Sequence, residues 1–321
     1  MNKILILGGG GMVGQKLAKQ INEANAIAST KLTLFDRAFT NNTVVAKSVT
    51  GNLADPTTAT KLAAGRPDVI FHLAAIVSGQ AETEFNLGWN VNMMAMWHLL
   101  NALKVEHEAS DYTYRPRLVF TSSIAVFGGP YPEKIDDEFL SAPQTSYGAQ
   151  KASCELMVND FSRKGIIDGL SLRLPTICVR PGKANAAASS FFSGIIREPL
   201  NGLEAILPVS DTVRHWHASP RAAARFLLHA AQLDTKMLNG RRALNLPGIS
   251  CTVAEQIEAL RHAAGQKAVD LIKAKPDEHI IKMVNGWPRN FLPERAIALG
   301  FEAEKSFDEI IEVYIEDDLH H

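Results

Sequence analysis

Tyr147 and Lys151 lie four residues apart in Ser146-Tyr147-Gly148-Ala149-Gln150-Lys151. On a helix that spacing puts both side chains on one face, one turn apart. An ammonium so placed stabilises a phenolate, which lets a tyrosine with an ordinary pKa of about 10 act as a base at much lower pH. An alcohol needs such a base before it can release a hydride. Of the five tyrosines, only Tyr147 has a lysine four positions on. The same spacing also suits a surface pair, so its meaning depends on the elements around it.

Those elements alternate. Lys3-Ile4-Leu5-Ile6-Leu7 reads as a buried strand, followed by a helix over 12–25 and a second strand, Lys31-Leu32-Thr33-Leu34-Phe35, that ends at Asp36. Further strands are expected over 46–49, 68–73, 117–121 and 170–174. Helices are expected over 82–107, 146–164, 221–233 and 252–264, and the tail 291–319 is amphipathic and acidic. Apolar strands alternating with helices specify right-handed crossovers. The fold class is therefore α/β, a Rossmann-type doubly wound parallel sheet with a smaller C-terminal substrate-binding domain. The Ala/Ser-rich stretch 184–193 marks a change of role. The expected division is a cofactor domain over 1–180 plus about 215–250, with a substrate domain over about 181–214 and 251–321.

Gly8-Gly9-Gly10-Gly11-Met12-Val13-Gly14 follows the first strand and opens the first helix. Glycines at 8, 11 and 14 permit a tight turn, close approach of a pyrophosphate and close packing of helix on strand. The helix N-terminus adds amide donors and the positive end of its dipole. Asp36, 22 residues after Gly14, can accept both ribose hydroxyls of NAD and repels the extra phosphate of NADP. Arg37 beside it acts in the opposite sense, and the nearer carboxylate makes NAD the expected cofactor. Phe71-His72-Leu73-Ala74-Ala75 closes a strand with small residues, and Thr121-Ser122-Ser123 ends another, where ligands of open α/β sheets gather. Ser123 is a candidate donor to the reacting oxygen. His72 also fits an ordinary core histidine.

The composition excludes several classes. Hydrophobic residues make up 46% and charged residues 21% of the 321, with a formal net charge of −1. Nothing there suggests nucleic acid or an anionic membrane as partner. There is no signal-peptide layout and no run of the roughly 20 apolar residues that spans a bilayer, so the expected location is the cytoplasm. Three separated cysteines, Cys154, Cys178 and Cys251, fit buried thiols in a reducing compartment. His215 and His217 lack further ligands nearby, so no metal is expected. His320-His321 reads equally as a natural end or as the remnant of a tag.

In order, these motifs resemble those of the extended short-chain dehydrogenase/reductases, the family containing nucleotide-sugar epimerases and dehydratases. The resemblance covers about the first 180 residues. It implies that NAD is held by Gly8, Gly11, Met12, Val13, Gly14 and Asp36, by Asn52 and Leu53 on the adenine side, and by Leu73, Ala74, Ala75, Asn92, Tyr147, Lys151, Pro175 and Ile177. It makes Ser123, Tyr147 and Lys151 the catalytic set. Asn52 stands where an aspartate is usual, and Thr176 where many sugar epimerases have asparagine. The segments Leu172-Arg173-Leu174-Pro175-Thr176-Ile177-Cys178-Val179-Arg180-Pro181-Gly182, 187–193 and 196–202 closely resemble one group, the D-erythronate dehydrogenases. That implies oxidation of the C2 hydroxyl of a four-carbon sugar acid to 2-oxo-tetronate. A sugar acid needs a cation for its carboxylate, for which Arg180 and Arg214 are candidates. It also needs small polar groups for its hydroxyls, for which Ser78, Ser123, Tyr147, Thr176, Ser189 and Ser190 are candidates. A nucleotide-sugar epimerase or dehydratase using the same Ser/Tyr/Lys set is the alternative. An NAD-sensing regulator is a third reading, disfavoured by the intact Tyr/Lys pair. The family also implies a homodimer built on helices 82–107 and 146–164.

Overall fold

A computed structural model of the chain describes residues 3–23, 31–39, 44–182 and 188–319. Residues 24–25 of the first expected helix, 184–187 of the Ala/Ser-rich stretch and His320-His321 lie outside them. The elements follow in the order β1 (Lys3–Leu7), α1 (Met12–Glu23), β2 (Lys31–Asp36), β3 (Lys47–Thr50), α2 (Pro56–Ala64), β4 (Val69–His72), α3 (Ser78–Thr83), α4 (Phe85–Gly88) and α5 (Ala95–Glu108). Then come β5 (Arg117–Ser123), α6 (Ser146–Arg163), β6 (Asp168–Leu174), β7 (Thr176–Ile177), α7 (Ser190–Leu200), β8 (Ala205–Leu207) and β9 (Arg214–Ala218). The chain continues with α8 (Pro220–Gln232), β10 (Ala243–Asn245), β11 (Ile249–Thr252), α9 (Val253–Ala264), α10 (Gln266–Val269) and β12 (Ile272–Ala274). It ends with α11 (Glu278–Asn285), α12 (Glu294–Ala298) and α13 (Phe307–Asp317). Among the described residues no helix is long and apolar enough to cross a membrane.

Two compact units result. The first comprises Met1–Val126, Thr145–Arg173 and Ala224–Leu244, the second Phe127–Gln144, Leu174–Ala223 and Asn245–His321. These boundaries differ from those expected. Residues 174–180, 215–223 and 245–250 group with the second unit, because β9 pairs with β7 and β11 rather than with the large sheet, and 127–144 joins them where Ile135 pairs with Phe291.

The first unit is built on a seven-stranded sheet in the order β10-β6-β5-β4-β1-β2-β3. The neighbours from β3 to β5 pair in parallel. The inner strands β1, β4 and β5 are apolar on both faces because helices cover both faces, whereas the edge strand β3 is largely exposed. Leu5, Leu7, Ile70, Leu118 and Phe120 pack against Leu99, Leu103 and Val158 of α5 and α6. The register sets the functional edge. Leu7 stands opposite Phe35 and His72, and His72 opposite Phe120. The next residues, Gly8, Asp36, Leu73 and Thr121, therefore line up at the carboxyl ends, with the order reversing direction at β1. That is where a doubly wound sheet opens its crevice.

The helix expected over 82–107 is interrupted. α3 and α4 precede a π-helical turn over Trp89–Met94, and only then does α5 run. The turn carries Asn92, whose side-chain amide is buried and bonded away from its own helix. A wide turn of this kind admits a side chain that must reach sideways.

The second unit has a three-stranded sheet, β11-β9-β7, and a two-stranded pair, β12-β8. Phe192, Ile195 and Ile196 of α7 share a core with Leu260 of α9 and Ile310, Ile311 and Tyr314 of α13. The start of α9 is fixed by a reciprocal cap, in which Thr252 Oγ1 accepts from Glu255 N and the Glu255 carboxylate accepts from Thr252 N.

Candidate active site

The turn after β1 begins with Gly8 at φ +86°, a backbone state that side chains disfavour. A Cβ there would stand 2.7 Å from Ala74 N, so the loop between β1 and α1 lies directly on the end of β4. Gly11 is a different case. A Cβ at Gly11 would meet only Gly8 O, at an ordinary 3.4 Å. The chain's own packing therefore leaves room for a side chain there, and the bare backbone suits close approach by a phosphate. The first-turn amides of α1, including those of Met12 and Val13, have no acceptor within their own helix. They form the donor set that a pyrophosphate requires.

Asp36 ends β2 beside this loop. Its Oδ2 accepts from Gly10 N at 2.9 Å and its Oδ1 from Arg37 N at 2.7 Å. The carboxylate is thus fixed at the tip of the glycine turn, where it can take ribose hydroxyls. Asn52 is exposed and its Oδ1 closes a local turn on Ala54 N at 3.1 Å. Leu53, expected beside adenine, is 7% exposed and packs in the core. Its side chain is structural, because an apolar side chain at the end of β3 is better covered than left in a polar crevice.

On β4 the amides of Leu73 and Ala74 both donate to Leu7 O, at 2.8 and 3.0 Å. That draws the small residues Ala74 and Ala75 across the end of β1. Asn92 is a correction to the expected cofactor contacts. It is 1% exposed, accepts from Ile76 N at 2.8 Å and donates to Ile76 O at 3.3 Å and Gln150 Oε1 at 2.7 Å. Every polar atom of its side chain is engaged, so it ties the segment after β4 to α6. Ser78 opens α3, half-buried, shortly after that segment.

α6 carries the central pair. Thr145 caps it, accepting from Gly148 N at 3.1 Å, and Ser146 N donates to Glu82 at 2.9 Å. Lys151 is 2% exposed, and its Nζ donates to Thr121 O at 2.8 Å. The same ammonium lies 4.7 Å from the Phe120 ring centre and 5.5 Å from that of Tyr147. Burial lowers the lysine to about 8, opposed by the fields of Cys154 and Glu155, so it stays mostly charged at neutral pH. Of the two serines at the end of β5, Ser122 is buried and donates to Glu155 at 2.5 Å. Glu155 is held in turn by Arg173 at 2.7 Å. Ser123 is half-buried, and its Oγ accepts from Ala125 N at 3.1 Å, which leaves its proton to donate. The sequence reading missed Gln150, Glu155 and Arg173. Glu155 was legible as the next residue on the Tyr147/Lys151 face, four positions on.

His72 is 1% exposed beside the Phe120 ring, and burial together with the Lys151 charge lowers it to about 3. It is a neutral core histidine.

The remaining expected site residues lie in the second unit. Pro175 is buried near the position a Cβ on Gly248 would take. Ile177 is 7% exposed in β7, and its carbonyl accepts from Arg180 Nε at 2.9 Å. Arg180 Nη2 donates to Ser189 Oγ at 3.2 Å. Arg214 donates to Ser250 O at 2.9 Å and lies 3.3 Å from Glu255. Thr176 Oγ1 is 2.7 Å from His215 Nε2. Ser190 opens α7 on a cleft of about 410 Å³ whose charged lining is Glu198, Glu204, Asp277 and Lys275.

With this geometry, the chain can be set beside known proteins. Residues 4–241 match the model of the NAD dependent epimerase/dehydratase family. The chain belongs to that family. Its cofactor is NAD, and the glycine turn, the donor set of α1 and the Asp36 carboxylate fit it. The chain is 44% identical to a D-erythronate dehydrogenase of Cupriavidus necator over 98% of both proteins. It is 41% identical to a D-erythronate dehydrogenase of Haemophilus influenzae over 99% of this chain and 100% of that one. A crystal structure described as a nucleoside-diphosphate-sugar epimerase from Agrobacterium tumefaciens is 51% identical, with a TM-score of 0.94 over 99% of this chain and 94% of the other.

Proposed function

We propose that the protein oxidises the C2 hydroxyl of D-erythronate to 2-oxo-tetronate with NAD. The observation that carries this reading is the end-to-end similarity to two D-erythronate dehydrogenases. It extends through the second unit, where substrate must be chosen. NAD, when bound, supplies the hydride acceptor.

Tyr147 takes the proton of the C2 hydroxyl as the base. Lys151 stabilises the phenolate form that accepts this proton. Unit charges about 5–6 Å apart attract by on the order of 3 kcal/mol at an effective dielectric of about 20. Thr121 O and the Phe120 ring hold the ammonium in place while burial keeps water from screening it. Ser123 donates to the substrate oxygen and stabilises the forming carbonyl. Arg180, in the segment 172–182 that resembles the D-erythronate dehydrogenases, is assigned to the substrate carboxylate, with Ser189 beside it at 3.2 Å and Ser78, Thr176 and Ser190 toward the hydroxyls.

The epimerase reading draws support from the description of the 51%-identical structure. The two D-erythronate dehydrogenases, matched over nearly their whole length, favour the sugar acid. We also assign the protein to the cytoplasm, in keeping with its three buried free cysteines, and to a homodimer. The dimer reading is supported by the exposed apolar side chains Trp97 and Val105 on α5 and Leu156 on α6.

The test is a panel of four-carbon sugar acids and UDP-sugars with NAD and with NADP, followed by nicotinamide absorbance. Net NADH from D-erythronate, and none from UDP-sugars, is expected. Interconversion of a UDP-sugar without net NADH would replace this reading with the epimerase.

A further inference from the structure

β9 directs His215 and His217 to one face of the small sheet, and β7 sets Thr176 opposite His217. His215 is 2% exposed and lies flat on the Phe192 ring, centroids 5.2 Å apart and planes 3° apart. Trp287 and His217 pack on its other sides, with centroids at 5.3 Å. Its Nδ1 is 3.0 Å from Pro288 O and its Nε2 is 2.7 Å from Thr176 Oγ1.

The partners decide the protons. Burial lowers His215 to about 4, so the ring is neutral and carries one N–H. A carbonyl oxygen only accepts, so that N–H is at Nδ1 and points to Pro288 O. Nε2 is then a lone pair, and the Thr176 hydroxyl must donate to it. A hydroxyl has one proton and two lone pairs. With the proton committed to His215, half-buried Thr176 offers incoming molecules a lone pair only.

From this geometry we propose that His215 is a positioning residue which fixes Thr176 as an acceptor, so that Thr176 selects a substrate hydroxyl and turns away a carbonyl or carboxylate oxygen at the same point. This rests on the sugar-acid reading above and refines it: the reacting C2 hydroxyl belongs to Tyr147, so Thr176 reads one of the two hydroxyls on C3 and C4.

The test compares D-erythronate with 2,4-dihydroxybutanoate and 2,3-dihydroxybutanoate, which lack the C3 and C4 hydroxyls respectively. Wild type, Thr176→Val, His215→Phe and the double variant are measured for kcat and KM. One lost neutral hydrogen bond corresponds to a change of roughly ten-fold. Wild type should favour D-erythronate over one analogue by about that factor. Each variant should lose this preference through KM, and the double variant should lose no more than either single one. His215→Gln, which returns an acceptor, should restore part of it. A fall in kcat/KM by the same factor for all three acids in His215→Phe would overturn the proposal, since it marks a merely structural role. A second readout needs no turnover: ¹⁵N NMR of histidine-labelled protein should show His215 protonated at Nδ1, with its Nε2 signal moved by Thr176→Val. Protonation at Nε2 would overturn the assignment. If wild type oxidises none of the acids, the function reading falls while the NMR result still decides the polarity of Thr176.

Discussion

The two compact units hold their polar groups in different ways. In the first, the backbone does most of the positioning: Leu7 O binds the amides after β4, Gly10 N fixes Asp36, and Thr121 O fixes Lys151. In the second, side-chain partners are added to main-chain ones: His215, held on Pro288 O, sets Thr176, Ser189 meets Arg180, and Glu255 takes Arg214. Main-chain contacts depend on strand register and tolerate changes of side chain, whereas side-chain pairs are rewritten by single substitutions. A common hydride-transfer centre built the first way can therefore be kept while a substrate site built the second way changes.

Substitutions in the two units should separate accordingly. Tyr147→Phe should lower kcat by roughly 10³-fold or more, in line with loss of a general base, while NAD affinity measured by fluorescence titration changes by less than about two-fold. Arg180→Ala should act on KM for the sugar acid, raising it about ten- to one-hundred-fold for loss of a charged hydrogen bond, with kcat nearly kept. Arg214→Ala should do much less, and a larger effect there than at Arg180 would reverse the assignment of the carboxylate.

Acid should weaken both units through their buried histidines. His72 and His215 are neutral when folded, lowered to about 3 and about 4, and His217 lies well below its ordinary value because burial opposes its charge. Unfolded, each protonates near 6.5. The unfolded chain then binds more protons below that pH, so stability is full above about 6.5 and falls as pH drops toward 4. Between pH 6.5 and 5 each such histidine contributes about 2 kcal/mol of loss. Urea unfolding at the two pH values should show that slope reduced by about this amount in His215→Phe, and likewise in His72→Phe. A smaller effect, on cofactor choice alone, is expected at Asp36. Asp36→Ala should shift the ratio of NAD to NADP efficiency by roughly ten-fold toward NADP, for loss of a ribose hydrogen bond and of a repelling charge. An unchanged ratio would remove Asp36 from the cofactor site.

Much of the first unit was legible because its signals are local. The run Lys3–Leu7, the glycines after it and Asp36 after β2 each declare themselves within a few residues. The interrupted helix before α5 was not legible: nothing in 82–107 breaks the helical pattern strongly, and the π turn answers to Asn92 reaching Ile76 and Gln150, far apart in sequence. The burial of the Leu53 side chain was not legible for a related reason, since the core that takes it comes from elements distant in the chain. In the second unit, the approach of Glu255 to Arg214 was not legible, because the two stand 41 residues apart. His215 signalled at most a ligand, and its link to Thr176 depends on the pairing of β7 with β9.

The most direct measurement is the initial rate of NADH formation from D-erythronate by wild type and by Tyr147→Phe, with bound NAD quantified in both. The account predicts steady net NADH from wild type and almost none from the variant at unchanged NAD occupancy. Equal rates in the two proteins would contradict it.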